Sequence, residues 1–399
     1  MRKTRDSQFS KTMKTALKGN IILSDKILSS GIVLIEGEKI SEIYPNGYKL
    51  SDEKIKLFDF KDQFISPGLI DLHLHGALGK DVMDCNGESL RQIAFHQARC
   101  GVTGFCGATV SSSLDSILKA VETAKKLAKS QLPSEILGIH IEGPFLNMKK
   151  RGAHDPDFIR GMSEEEIYPL IRALSSIKAL ITIAPEVNHN MGFIKMLKEK
   201  GIVVSIGHSD ATYDQALESF RQGVSHATHL FNAMREYHPR EPGVVGAVLD
   251  FEGVTAEVIA DGVHLHPSAL RLVFARKAKD KICLITDSMK AAGAGDGIYL
   301  MGNLEIVVKG DESRLRESGV LAGSVLTLNR AVKNVIKWTG ISVNQAVNMA
   351  SLNPARVLGL DKKMGTIAKG KYANFAIFDK EFNVLETILR GKFVLRKRK

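Results

Sequence analysis

The sequence predicts an α/β fold: a (β/α)8, TIM-like barrel with a small β-sandwich domain built from both termini. Three observations predict it. Residues 66–360 alternate short apolar runs with helical patterns, as repeated strand–helix units do. Both ends of the chain read instead as short strands punctuated by Gly. Polar residues of the kinds that bind metals close the apolar runs, and a parallel barrel gathers its chemistry at the C-terminal ends of its strands.

Residues 1–19 are basic, contain Ser and Thr, and lack the apolar stretch of a secretory signal. They are expected to form a flexible leader, with a mitochondrial presequence left open. Residues 20–65 carry Ile21-Ile22-Leu23, Ile32-Val33-Leu34-Ile35 and Lys39-Ile40-Ser41-Glu42-Ile43, whose alternation suggests hairpins. Residues 361–399 are similar, with strands and turns expected over 365–370, 373–378 and 384–388. Pairing of 20–65 with 361–399 gives the small β-domain, and 66–360 is the barrel. Inside it, strands are predicted at 136–142, 180–185, 202–208 and 282–287, and helices at 113–129, 163–176 and 213–222. Residues 309–319 read as a charged hairpin or loop. Gly293-Ala294-Gly295-Asp296-Gly297 predicts a mobile loop and lacks the spacing of a phosphate loop.

Asp71-Leu72-His73-Leu74-His75 is the most informative stretch. Alternate side chains of a strand share a face, so His73 and His75 point the same way and can hold one divalent metal. Alone, the pair is equally two strand histidines with ordinary hydrogen bonds. Its company decides: Glu142, His208, His229 and Asp287 each close an apolar run or follow one closely. Five strands delivering such residues to one end of a barrel is a functional pattern. His140 shares a strand face with Glu142 by period two and is expected to point into the barrel. His96, His189 and His226 are read as structural.

Composition narrows the function classes. The net charge of +11 lies entirely in the tails: residues 1–18 carry +5 and residues 390–399 carry +6. The body is formally neutral, which argues against a nucleic-acid partner. No apolar run is long enough to span a membrane, so no membrane partner is expected. Cys85, Cys100, Cys106 and Cys283 show no CxxC spacing and fit reduced thiols in a cytoplasmic protein.

Further segments add to these: Gly138-Ile139-His140-Ile141-Glu142-Gly143-Pro144-Phe145, Gly152-Ala153-His154, Gly207-His208-Ser209, His226-Ala227-Thr228-His229-Leu230-Phe231-Asn232-Ala233-Met234, Arg240-Glu241-Pro242-Gly243, Asp261-Gly262-Val263-His264, Thr286-Asp287-Ser288-Met289 and Leu321-Ala322-Gly323-Ser324. With these the chain resembles the amidohydrolase superfamily and, within it, is similar to the N-acetylglucosamine-6-phosphate deacetylase family, from about residue 20 to residue 395. The resemblance implies that Glu142, His208 and His229 bind a metal, zinc or iron. It also implies a second site at His73 and His75, bridged by Glu142, because members of the family differ in keeping that pair. Asp287 is implied as the catalytic acid/base and as a neighbour of the metal. His264 is implied as the group that polarises the amide carbonyl, and His154 with Ala153 as sugar contacts. Asn232, Ala233 and Arg240 are implied at the phosphate, and Leu321, Ala322 and Gly323 near the acetyl group.

The implied reaction is hydrolysis of the acetamide of N-acetyl-D-glucosamine 6-phosphate to glucosamine 6-phosphate and acetate, by a homodimer whose sites borrow residues from the neighbouring subunit. Three rivals remain at this point. These are the galacto epimer as substrate, a cyclic amide as substrate on the same fold, and a scaffold without activity. Arg240 and Asn232-Ala233 disfavour the cyclic amide, and retention of the whole ligand set disfavours the scaffold.

Overall fold

The computed structural model describes residues 14–52 and 54–395 of the chain. Residues 1–13 of the expected leader and 396–399 of the basic C-terminal tail lie outside the described residues. Four strands open the chain: β1 (Lys14–Ile22), β2 (Ile27–Glu36), β3 (Lys39–Tyr44) and β4 (Lys56–Pro67). Strand β1 corrects the leader reading for residues 14–19. Ala16 and Leu17 are fully buried, while Lys18 lies 3.6 Å from Asp59 at the surface. Lysines spaced along one face of a strand give a segment the same basic composition as an unstructured leader.

Eight parallel strands follow: β5 (Leu69–Leu74), β6 (Val102–Ala108), β7 (Glu135–Glu142), β8 (Lys178–Ile183), β9 (Val203–Ile206), β10 (His226–Ala227), β11 (Thr255–Ile259) and β12 (Ile282–Ile285). They form one sheet in chain order, β5 to β12. Helices cover it. Leu114–Ala128 buries Ile117, Ala120, Val121, Ala124 and Leu127 at helical spacing, and the Ser113 side chain caps its first turn. Tyr213–Gln222 starts at a capping box of Thr212 and Gln215.

The seam between β5 and β12 is closed by side-chain and backbone hydrogen bonds together. Thr286 Oγ1 donates to Asp71 Oδ2 at 2.6 Å, and Thr286 N to Asp71 Oδ1 at 3.3 Å. Asp287 N donates to His73 O at 2.9 Å. The closed sheet thereby sets His73 beside Asp287.

After β12, the strands β13 (Gly297–Met301), β14 (Leu304–Lys309) and β15 (Glu312–Leu315) make a separate antiparallel sheet. The charged residues 309–319 are its second turn and the strand beyond it. Ile306, Val308 and Leu315 pack its inner face against Met289, Ala291 and Ala322.

The chain then returns as β16 (Phe375–Phe378), β17 (Val384–Leu389) and β18 (Lys392–Phe393). Both ends meet in one seven-stranded sheet, in the order β18-β17-β16-β4-β1-β2-β3. The sheet curls, for Ile40 N donates to Lys371 O at 2.9 Å and Lys39 bridges Tyr372. Leu17, Ile21, Val33, Ile65, Phe375 and Ile377 fill its own core. Residues 365–370, where a strand was open, form bends and turns. Gly365 and Gly370, at φ 86° and 84°, turn the chain there.

Candidate metal centre and substrate cavity

Five barrel strands or the residues just after them bring side chains to one end. Glu142 ends β7, and its carboxylate is the hub. Its Oε1 lies 2.9 Å from His229 Nε2 and 3.2 Å from His208 Nε2. Its Oε2 lies 3.1 Å from His75 Nε2, 3.3 Å from His73 Nε2 and 3.5 Å from His154 Nε2. Asp287 Oδ1 stands on the far side, 3.1 Å from His75 Nε2 and 3.5 Å from His73 Nε2.

The local backbone is shaped for this. His208, His229 and Asp287 have φ of 47°, 27° and 50°, a left-handed region that non-glycine residues adopt at a cost. Gly143, next to Glu142, has φ 75°, and a Cβ there would sit 2.2 Å from Ser111 Oγ. Only glycine lets the chain turn this tightly after the carboxylate.

Three groups of potential ligand atoms result among the described residues, all buried: Glu142–His208–His229 and His73–His75–Glu142–Asp287, which share Glu142, and His73–His140–Glu257. Their chemistry fits divalent metals. His208 Nδ1 faces Lys150 O at 2.8 Å, so the ring proton lies there and Nε2 presents its lone pair. The Nε2 atoms of His208 and His229 face each other at 3.1 Å, an approach that a shared cation relieves. His73 Nε2 and Asp287 Oδ1 are buried without a hydrogen-bond partner among the described residues. Carboxylate and imidazole donors in this number suit zinc or iron.

The electrostatics agree. Burial alone would raise the Glu142 carboxyl, but His73 and the ring nitrogens of His154, His208 and His229 around it hold it well below the carboxylate range. Asp287 is held at about 2 against the same burial by His73 and His75. Burial lowers His75, yet Asp287 and Glu142 bring it up to about 9. Those carboxylates favour positive charge on the nitrogen that a metal would occupy.

Above the hub opens a cavity of about 310 Å3. Its lining contains His75, Glu142, His208, His229 and Asp287, together with Ala153, His154, Asn232, Ala233, His264, Leu321 and Gly323. His264 is fixed by Asp261, whose Oδ2 lies 2.6 Å from its Nδ1 and whose Oδ1 accepts its backbone N–H at 2.8 Å. His266, two residues on, caps the helix Pro267–Arg276.

Two expected substrate contacts fall elsewhere: Ala322 packs in the core of the β13–β15 sheet, and Arg240 is exposed outside the lining, while His73 stays with its ligand group, fully buried beneath the cavity. Arg240 lies in the 235–241 segment, which leaves the barrel between β10 and the helix Gly243–Asp250. Strand-end reasoning does not reach such a segment.

The sequence reading passed over Glu257 and Asp261, and it placed His226 only as structural. Glu257 sits in the apolar run Thr255–Ile259, where one acid among apolar residues gives no periodic signal. Asp261 could have been found three residues before His264, a spacing at which one aspartate bonds both backbone and ring. His140 turns its Nε2 to Thr182 Oγ1 at 2.7 Å and packs its ring 4.3 Å from that of His73.

The fold and site define a metal-dependent hydrolase barrel with its reacting groups at the C-terminal strand ends. The amidohydrolase family model matches residues 64–394, and the chain belongs to that family. It is 34% identical over 375 residues to an N-acetylglucosamine-6-phosphate deacetylase of Bacillus subtilis (strain 168), covering 93% of this chain and 94% of that protein. It is 37% identical over 331 residues to an N-acetylgalactosamine-6-phosphate deacetylase of Escherichia coli O157:H7, covering 83% and 87%. The crystal structure of the N-acetylglucosamine-6-phosphate deacetylase of Pasteurella multocida superposes with a TM-score of 0.90 at 32% identity, covering 95% of this chain and 99% of that one.

Proposed function

We propose that this chain hydrolyses the acetamide of N-acetyl-D-glucosamine 6-phosphate, giving glucosamine 6-phosphate and acetate in amino-sugar metabolism. The observation that carries the reading is the convergence of Glu142, His208, His229 and Asp287 at the floor of one cavity. Its likeness over most of its length to deacetylases of phosphorylated N-acetylhexosamines supports the substrate class.

Glu142, His208 and His229 would hold one metal, zinc or iron, and His73, His75 and Asp287 with Glu142 would hold a second. A divalent ion in this place polarises an amide carbonyl and brings the pKa of water toward neutrality. The chain's own groups do the rest. Asp287, kept ionised, accepts a proton from the attacking water as its oxygen bonds to the carbonyl carbon. His264, held through Nδ1 by Asp261, turns Nε2 to the oxygen that gains charge and donates to it when both ring nitrogens carry a proton. Asp287 then passes the proton to the sugar nitrogen as the C–N bond breaks, and acetate and the amine leave. His154 and Ala153 contact the sugar, Asn232 and Ala233 the phosphate, and Leu321 and Gly323 the acetyl group.

Arg240 is kept as a phosphate ligand in a homodimer, where its exposed guanidinium serves the partner's cavity. A cytoplasmic location follows from reduced thiols and a phosphorylated substrate.

The test is acetate release from N-acetylglucosamine 6-phosphate, with the unphosphorylated sugar and the galacto epimer in parallel and metal analysis of the same sample. Turnover of the gluco phosphate alone is expected. Preference for the galacto epimer, the substrate named for the Escherichia coli relative, would replace the substrate and keep the mechanism. No turnover of any of them with metal bound would overturn the reading. Arg240→Ala should raise KM with kcat little changed, and an unchanged KM would remove Arg240 from the phosphate.

A further inference from the structure

Glu257 is a fully buried carboxylate inside the barrel with no part in the mechanism above. It sits on β11, below the floor of the cavity. Its Oε2 lies 3.1 Å from His73 Nδ1 and accepts the backbone N–H of His229 at 3.2 Å. Its Oε1 lies 3.1 Å from His226 Nε2. On the far side of that ring, His226 Nδ1 lies 2.5 Å from Thr255 Oγ1. One acid therefore touches a residue from each side of the proposed metal centre.

Counting donors and acceptors gives the contacts a direction. A carboxylate only accepts, so His73 places its proton on Nδ1 and His226 places its proton on Nε2. The Thr255 hydroxyl lies between His226 Nδ1 and Ser225 O, 3.1 Å away, and its one proton serves either of them. The chain runs from Thr255 through His226 to Glu257, and from His73 to Glu257 from the other end. With Nδ1 committed to Glu257, His73 turns Nε2 toward Glu142 Oε2 and Asp287 Oδ1, at 3.3 and 3.5 Å. Two carboxylate oxygens facing one ring nitrogen favour a cation at that point. Imidazole ligands of metals characteristically donate their other ring N–H to such a carboxylate. His229, held at φ 27°, receives the same support through its backbone.

We propose that Glu257 is the positioning residue of the His73/His75 side of the centre: it fixes the tautomer and orientation of His73, and so commits Nε2 to a second metal ion. This rests on the reading that His73 and His75 are ligands of a second ion.

The test is zinc binding to the metal-stripped full-length chain, followed by titration calorimetry and metal analysis, with folding checked by circular dichroism. Wild type should bind two ions per chain. Glu257→Leu, which removes the acceptor at similar volume, should bind one, with the remaining ion losing far less affinity than the second, through the lost acceptor of the His229 N–H. Glu257→Gln can still accept from His73 while its amide donates to His226, whose proton moves to Nδ1. It should bind two ions, the second about 10–100-fold more weakly, because the ligand loses basicity with the charge. That variant carries the test alone if Glu257→Leu does not fold.

A single ion in wild type would overturn the two-metal reading and this proposal with it. Two ions in wild type and an unweakened second ion in either variant would overturn the role of Glu257 while leaving the two-metal reading intact. Loss of both ions together would mean that Glu257 only supports the barrel.

Discussion

At the scale of single residues, the site separates groups that share a chemistry by giving them different neighbours. Glu142 and Asp287 are both buried carboxylates. Among the described residues Glu142 is surrounded by the ring nitrogens of five histidines, whereas Asp287 has two, those of His73 and His75, within ion-pair distance. On the proposed mechanism Glu142 is the hub and Asp287 is the group that exchanges protons. Asp287→Asn should therefore keep the metal at Glu142, His208 and His229 and lose about 10²–10⁴-fold in kcat, the usual worth of one acid/base group. Retained activity with intact metal content would remove Asp287 from the proton path. Asp261→Asn probes His264 at one remove. It should lower kcat by no more than about 10²–10³-fold, the worth of one oxyanion donor, without changing metal content. A change in metal content and none in kcat would make Asp261 a structural residue only.

At the scale of elements, the ends of strands do the positioning, and the seam is where this is most exposed to a single change. Strands β5 and β12 are joined near the site by Asp71 and Thr286, both buried. Thr286→Val keeps the shape of the side chain but leaves Asp71 Oδ2 without its donor and Ser288 N without the hydroxyl that accepts it at 3.2 Å. A buried polar group stranded in this way costs about 1–3 kcal/mol, so the melting temperature should fall by several degrees. Second-ion affinity should fall with it, because His73 and Asp287 are brought together across that seam. An unchanged melting temperature would show that the barrel closes without this pair. The same elements explain what the sequence made legible. Period two in Asp71-Leu72-His73-Leu74-His75 fixed which side chains share a face, and apolar runs ending in Glu142 and Asp287 fixed which end they reach. Period says nothing about what lies across a barrel. Glu257 comes from a strand 184 residues beyond His73. Arg240 follows no strand pattern at all, so its distance from the cavity could not be read.

At the scale of the whole molecule, the chain joins the core of the barrel to that of a curled sheet made from both ends. The termini could be paired from sequence because each end alone is too short a run of strands to bury its own apolar face. The start of β1 could not be read, because Lys14 and Lys18 disguise it as part of a basic tail. Folding free energy belongs to this scale too, and one histidine remote from the cavity lining gives it a pH dependence that can be isolated. His96 is on the helix Gly87–Arg99, with its Nε2 3.7 Å from Cys100 Sγ and its ring under the turn at Gly293. Burial, aided by Arg99, lowers its pKa to about 4 from the usual 6.5. Between those values the unfolded chain takes up a proton that the folded chain refuses, so acid shifts the balance toward unfolding. Above pH 6.5 the effect is absent, and it reaches its full size near pH 4. Moving from pH 7 to pH 5 should cost wild type about 2 kcal/mol more than it costs His96→Leu, which has no proton to take up. Denaturant unfolding of both chains at the two pH values measures that difference directly, since the protonation of every other group is common to both and cancels. Equal losses would mean that His96 is protonated as readily in the fold as in water, and that the ring is not shielded by the packing of this helix on the barrel.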